Sequence, residues 1–376
     1  MRALVLSGGG ARGAYQVGVL QAIAEVVLQN KIQKPFSIYT GISAGAINAG
    51  FLACGADDFA LSARKLGELW GSITSDQIFK TDAVSLGKIG LKWMGELSLG
   101  GLSGTTPGRS LLDTEPLSEL VRNNCHFSKI KKHIDSGDLH AVAITALDYK
   151  TSTTISFVQG DDTVKPWARS RRQSERIEQL KTEHIMASSA IPILFPPALA
   201  DGRYFGDGCV RNIAPCSPAI HLGASKLFVI GVRKPSDTQY EKMVQESNRP
   251  PSVARVVNVL LNSVLLDGVD VDIERMNRIN EFLSRVPEEH HDRLNFKKID
   301  YVFINPSEDI GSIAASMSSR LPRIIRYLLK GLGPLEEASE IMSYLMFEKD
   351  FTRRLIEVGY EDGLKQKENI IKFFED

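Results

Sequence analysis

Four cysteines, Cys54, Cys125, Cys209 and Cys216, are too few and too widely spaced to form a disulfide framework. No C-x-x-C pair is present, so a zinc site is not expected either. A reducing, cytoplasmic setting fits this usage. No stretch approaches the ~18 uninterrupted apolar residues of a membrane-spanning helix. The opening MRALVLSGGG breaks its apolar run at Ser7-Gly8, too early for a signal-peptide core. Net charge is lacking as well: 45 basic residues balance 45 acidic ones, so the global field draws neither nucleic acid nor an acidic surface. There is no internal repeat and no low-complexity tract. With 43% hydrophobic residues over 376 positions, the chain is long enough to bury a sizeable core.

The first 55 residues carry the clearest pattern. Ala3–Leu6 is a continuous apolar run, as expected of a strand buried on both faces. Gly8-Gly9-Gly10 turns the chain. Val17, Leu20, Ala24, Val27 and Leu28 then recur at helical spacing between Ala14 and Leu28. A second apolar run, Phe36–Tyr39, meets Gly41-Ile42-Ser43-Ala44-Gly45, and small apolar residues continue to Cys54 as a buried helix. Strand, glycine turn, helix, strand, serine turn, helix is a parallel α/β pattern. Helices are expected at Ala60–Gly71, Val84–Met94 and Ser252–Arg285, with a glycine-rich mobile loop at Leu99–Gly108. Strands are expected at His140–Leu147, Thr153–Val158, Leu227–Val232 and Tyr301–Ile304. Beyond Pro306 the pattern is helical alone, with Pro322 and Pro334 as starts. The division is therefore 1–305 and a C-terminal helical extension, 306–376.

Two motifs carry chemistry. G-x-S-x-G at Gly41–Gly45 places Ser43 on a sharp strand-to-helix turn, where flanking glycines remove colliding side chains. The other reading is a plain turn; the strand before and helix after favour the nucleophile. The loop Gly8-Gly9-Gly10 can aim successive amides at one point, as acyl transfer requires for its oxyanion. Gly8, Gly10 and Gly13 also satisfy G-x-G-x-x-G, the dinucleotide fingerprint. That fingerprint wants an acid at the end of the second strand. None lies between Asn30 and Gly41, and Glu25 falls within the helix. No G-K-[ST] follows, so a phosphate-binding P-loop is excluded.

A serine hydroxyl needs a base. The histidines His126, His133, His140, His184, His221, His290 and His291 lie mostly in polar segments and read as solvated or helix-surface residues. A triad could be assembled from Ser43, Asp207 and His221 or His290, but only one strand precedes the serine-bearing one, which does not suit that fold. Asp207 lies between Gly206 and Gly208 after the turn Asp201-Gly202. It reads either as an ordinary surface turn or as a carboxylate free to approach another loop.

Together, SGGGARGAYQVGVL at Ser7–Leu20, GISAGAINA at Gly41–Ala49, MASSAIPILFPP at Met186–Pro197 and FGDG at Phe205–Gly208 resemble the patatin-like phospholipases over roughly residues 1–305. The resemblance implies a three-layer α/β/α fold with a central, mostly parallel sheet. It also implies a Ser43–Asp207 dyad without histidine and an oxyanion hole from Gly8, Gly9 and Gly10. Arg12, Gly41, Gly45 and Gly208 would support this site, and neither metal nor organic cofactor is implied. Cys209 departs from the family's usual Gly or Ala after Asp-Gly. Were a positive φ required there, it would cost ~1–2 kcal/mol. A Cys209 nucleophile is a remote alternative, since nothing nearby in sequence lowers its pKa.

The implied substrate is a lipid or phospholipid acyl ester. Two stretches offer peripheral membrane contact. Lys165–Lys181 holds Arg169, Arg171, Arg172, Arg176 and Trp167, or else reads as a disordered surface loop. Arg320–Leu332 places Arg320, Arg323, Arg326 and Lys330 opposite an apolar face, or else reads as a packed helix with a solvated side. Three functions follow: a lipid acyl hydrolase, a nucleotide-binding oxidoreductase, and a lipid-surface binding protein with weakened catalysis. The sequence leaves oligomeric state and head-group preference open.

Overall fold

The computed structural model describes residues 1–80, 110–235, 250, 252–265, 267–287, 290, 294 and 296–375. The expected helix at Val84–Met94 and loop at Leu99–Gly108 lie outside these residues. Among the described residues ten strands form one sheet: β1 (Arg2–Leu6), β2 (Ile38–Ile42), β3 (Ala141–Asp148), β4 (Thr153–Gly160), β5 (Ala168–Arg169), β6 (Arg172–Arg176), β7 (Ala198–Ala200), β8 (Arg203–Asp207), β9 (Lys226–Ile230) and β10 (Asp300–Ile304). The order is β10-β9-β1-β2-β3-β4-β6-β5, with β8 pairing both β3 and β7. From β10 to β3 every pairing is parallel; β4 and β8 join β3 antiparallel.

The three layers follow from alternation along these apolar strands. Leu4, Leu6, Val142, Ile144, Phe228 and Ile230 face one core. Their neighbours Ala3, Val5, Ala141, Ala143, Leu227 and Val229 face a second core on the other side. The first core is covered by α1 (Gly13–Gln29), α2 (Ala44–Ala53) and α3 (Phe59–Ser72). Further along come α4 (Thr182–Ser188), α5 (Val253–Leu265), α6 (Asp267–Ser284), α7 (Arg323–Leu332), α8 (Ser339–Leu345) and α9 (Lys349–Lys365). The second core takes Val269, Ile273 and Met276 from α6.

Residues 306–375 are helical and share the first core rather than standing apart: Ile325, Leu329, Met342 and Leu355 are buried in it. Helix α9 packs directly on α1. A Cβ at Gly18 would lie 2.0 Å from the Ile356 carbonyl oxygen, and one at Gly359 would lie 2.1 Å from that of Tyr15. Only glycine at both crossing points permits that approach. Among the described residues no helix is long and apolar enough to cross a membrane.

Two sequence expectations need correction. Lys165–Lys181 is not an irregular loop: it supplies β5 and β6, which extend the sheet beyond β4. Trp167 is half-buried and stacks on His221, with ring centroids 5.1 Å apart. His184 is not solvated. It is 1% exposed, lies 4.6 Å from the Phe157 ring, and bonds Asp201 through Nε2 at 3.0 Å.

Candidate active site

Strands β2 and β8 approach each other head-on along one edge of β3. Strand β2 runs parallel to β3 and ends with Ile42 opposite Thr145. Strand β8 runs antiparallel and ends with Asp207 opposite Ala146, the next residue along. The opposite edge of β3 is taken by β4 over its full length. The chain therefore leaves β2 at Ser43 and leaves β8 at Asp207 within the same gap. The two-residue turn Asp201-Gly202, with φ of 45° and 75°, delivers β8 to that edge as a tight hairpin from β7.

Ser43 is 4% exposed and has φ 55° and ψ −124°. That region is sparsely populated by non-glycine residues and costs ~1–3 kcal/mol, so the surroundings must hold it. The Ser43 amide donates to Ser188 Oγ (2.9 Å), and Ser188 Oγ donates onward to the Thr145 carbonyl (2.6 Å). The Ser43 carbonyl accepts from the Ala46 amide (2.9 Å) and from Ser189 Oγ (3.1 Å). Neither Ser188 nor Ser189 stood out in the sequence, although both lie within the motif MASSAIPILFPP. Gly41 and Gly45 clear the turn: a Cβ on Gly41 would lie 2.2 Å from the Gly45 carbonyl oxygen, and one on Gly45 would lie 2.2 Å from that of Leu6.

Asp207 is 1% exposed. Its Oδ1 accepts the Cys209 amide (2.8 Å), and its backbone amide donates to Ala190 (2.9 Å). Oδ2 is buried without a hydrogen-bond partner among the described residues. Burial raises the carboxyl pKa to about 6, while the neighbouring Ser43 hydroxyl and the Cys209 amide pull it back. Gly208 allows the close approach, since a Cβ there would lie 2.1 Å from the Thr145 carbonyl oxygen. Cys209 is not among the residues with positive φ; it lies in the short 3-10 turn Gly208–Arg211, so the departure from the family pattern carries no backbone strain. Burial and the Asp207 charge push its thiol pKa well up, which leaves it protonated.

The glycine loop closes over this gap. A Cβ on Gly8 would lie 2.3 Å from Cys209 Sγ and 2.9 Å from Ser43 Cβ. Gly10 has φ +56° and faces the Tyr344 carbonyl. Arg12 is 2% exposed. Its Nε donates to Ser343 Oγ (2.7 Å), its guanidinium pairs with Glu340, and it lies 4.7 Å from the Tyr344 ring centre. Below the loop, a buried polar chain that sequence patterning did not reveal ties three helices together. Trp70 Nε1 donates to Asn48 Oδ1 (2.8 Å), Asn48 Nδ2 to Gln16 Oε1 (3.0 Å), and Gln16 Nε2 to the Ser7 carbonyl (2.7 Å).

A narrow apolar cavity of about 30 Å³ opens beside Ser43, walled by Ile47, Trp70, Leu117, Ile191, Phe195 and Phe347 among others. Four of the described histidines are engaged away from Ser43: His140 on Asp161, His133 on the Cys54 carbonyl, His184 on Asp201 and His221 on Trp167. His291 lies outside the described residues. Glu183, His184 and Asp201 form a cluster of metal-ligand type, but His184 Nε2 is already engaged by Asp201, and its Nδ1 accepts the Lys181 amide (3.0 Å).

The sequence profile of the family described as patatin-like phospholipase matches residues 4–220. No curated protein matches. Among solved structures, VipD from Legionella pneumophila is 13% identical, with 98% of this chain and 67% of that chain covered, at TM-score 0.37. The type III effector ExoU of Pseudomonas aeruginosa is 13% identical, with 98% and 53% covered, at TM-score 0.39. Human GIVD cytosolic phospholipase A2, in complex with methyl gamma-linolenyl fluorophosphonate, is 11% identical, with 99% and 58% covered, at TM-score 0.44. The chain thus spans between about half and two thirds of the length of these three proteins.

Proposed function

Since this chain belongs to the patatin-like phospholipase family, we propose that it hydrolyses lipid acyl esters through a Ser43–Asp207 dyad. Asp207 accepts the Ser43 proton as Oγ attacks the ester carbonyl. The amides of Gly8, Gly9 and Gly10 hold the oxyanion that develops, an arrangement in which one donor is worth ~3–4 kcal/mol. Asp207 then returns the proton to the departing alcohol or lysolipid, leaving an acyl ester on Ser43. Water, deprotonated by the same carboxylate, attacks the acyl carbon, and Asp207 passes that proton to Ser43 Oγ as the C–Oγ bond breaks and the fatty acid leaves. The sequence requires no metal and no organic cofactor for these steps.

The observation that carries this reading is the placement of a buried carboxylate, with one unpartnered oxygen and a pKa of about 6, across one gap from the strained Ser43. A base with a pKa near the working pH is what proton transfer favours. The apolar cavity beside Ser43 suits the start of an acyl chain, and at about 30 Å³ its walls must part to admit more. The dinucleotide alternative has no comparable support, because Cys209, Ser43 and Tyr344 crowd the glycine loop where a pyrophosphate would lie. The chain acts in the cytoplasm and meets lipid from outside the bilayer. Of the two basic stretches, helix α7 is the better contact. It exposes Tyr327, Arg323 and Lys330 while its buried Ile325 and Leu329 hold it to the core.

Turnover of a short-chain p-nitrophenyl ester tests the assignment. Ser43→Ala and Asp207→Ala each lower kcat by about 10³-fold or more, whereas His221→Ala and His290→Ala change it little. Loss of activity in a folded histidine variant would replace the dyad with a triad. Lipid profiling of wild type against Ser43→Ala then identifies the head group and chain length.

A further inference from the structure

The family profile ends at residue 220, yet the glycine loop is held from the far end of the chain. Arg12 follows Gly10 by two residues, and its charge is buried with the head group turned toward α8. Three of its contacts come from that one helix: Glu340 as the counter-charge, Ser343 Oγ as acceptor at 2.7 Å, and the Tyr344 ring at 4.7 Å. A fourth, the Val232 carbonyl at 3.4 Å, comes from the segment after β9. Ser343 is itself oriented by donating to the Glu340 carbonyl (2.5 Å). The helix also touches the loop backbone: at Gly10 any Cβ would lie 2.4 Å from the Tyr344 carbonyl oxygen. The planar guanidinium presents its donors in a fixed fork, so partners on two sides fix its plane as well as its position.

We propose that Glu340 and Ser343 are positioning residues for ester hydrolysis, acting through Arg12 to set the glycine loop above Ser43. The inference rests on the proposed role of that loop. It makes residues beyond the family profile an integral part of the reaction centre. If the counter-charge is lost, Arg12 keeps a buried charge without its carboxylate and turns toward solvent or another acceptor. The backbone two residues away follows. Amides serving an oxyanion act only at about 2.7–3.1 Å from it, so a small displacement lowers the rate of chemistry while leaving ester binding nearly intact.

The same C-terminal region supplies a control. Arg354 pairs with Glu308 at 2.6 Å, joining helix α9 to the loop after β10 without touching the glycine loop. In the full-length chain, kcat and KM for a soluble p-nitrophenyl ester are measured for wild type, Ser43→Ala, Glu340→Gln, Glu340→Asp, Ser343→Ala and Arg354→Gln, each beside its thermal midpoint. Glu340→Gln is expected to lower kcat about 10–100-fold with KM within about twofold, and Ser343→Ala about 3–10-fold. Glu340→Asp recovers part of the loss, and Arg354→Gln leaves kcat within about twofold even where its midpoint falls as far. If Glu340→Gln does not fold, Ser343→Ala and Glu340→Asp decide by the same split. Equal kcat losses in Glu340→Gln and Arg354→Gln, or a loss in KM alone, overturn the inference while leaving Ser43 in place. Wild-type turnover that survives Ser43→Ala overturns the reading beneath it, and this inference with it.

Discussion

The two turns that meet at the gap are built in opposite ways. At Ser43 the backbone is strained, and its polar groups are bonded: amide to Ser188, carbonyl to Ala46 and Ser189. At Asp207 the backbone is relaxed, with φ −52° and ψ 130°, but the side chain keeps one buried oxygen without a partner. One turn stores its cost in dihedral angles and is held by hydrogen bonds. The other stores it in desolvation of a charge. In the proposed reaction a nucleophile needs a fixed direction, which a braced backbone supplies, and a base needs a raised proton affinity, which burial supplies. A surplus hydrogen bond at Asp207 would have steadied the side chain at the expense of its basicity.

The contrast is broken most strongly at Asp207. Its pKa of about 6 lies above the ordinary carboxylate value of 3.8, so the folded state binds that proton more tightly than the unfolded chain. Stability therefore falls as pH rises between those two values, and the full penalty, about 3 kcal/mol, is present above pH 6. Asp207→Asn removes the charge while an amide oxygen can still accept from Cys209. It should abolish turnover yet raise the denaturation midpoint at pH 8, with no gain at pH 3.5; equal midpoints at both values would mean that the carboxylate is not desolvated. In the wild type, kcat/KM should fall about tenfold per pH unit below pH 6 and be level above it.

At the other turn, Ser188→Ala deletes the acceptor of the strained Ser43 amide. Leaving that amide buried and unbonded costs about 1–3 kcal/mol, read by denaturant titration, with kcat reduced about tenfold. A stability loss without any kcat loss would show that the strained turn holds its direction unaided. The smallest effect is expected at Cys209→Ala. The thiol lies against the carboxylate and helps to lower its pKa, so its removal shifts the pH–rate limb slightly upward and changes plateau turnover by less than about threefold.

What could be read from the sequence followed from local rules. Ala3–Leu6 is apolar throughout and β2 is buried along its whole length because both faces of the sheet are covered, and that pattern puts Ser43 at a strand end. Asp207 was conspicuous through its flanking glycines, which the approach of the Thr145 carbonyl oxygen at Gly208 explains. The missed residues act over distance or in disguise. Gln16 and Asn48 are polar residues on helices, indistinguishable in sequence from surface positions until the fold bonds them to each other and Trp70 donates to Asn48. Strands β5 and β6 were hidden by arginines, because the rim of a sheet, where β5 is the edge, can carry charge. Glu340 lies so far along the chain that no spacing rule connects it with Arg12.

The head-on arrangement of β2 and β8 has a consequence for how the chain can change. Strand β3 serves as a ruler, and its graduations are whole residues: a slip of β8 by one step would shift Asp207 by about 3.3 Å and turn its side chain to the opposite layer. Intermediate spacings are not available. Insertions or deletions in the long stretch between Ser43 and Asp207 therefore leave the gap unaltered as long as both strands keep their rungs on β3. The loops of that stretch can differ in length, and with them the surroundings of the cavity, while Ser43 and Asp207 stay at one separation.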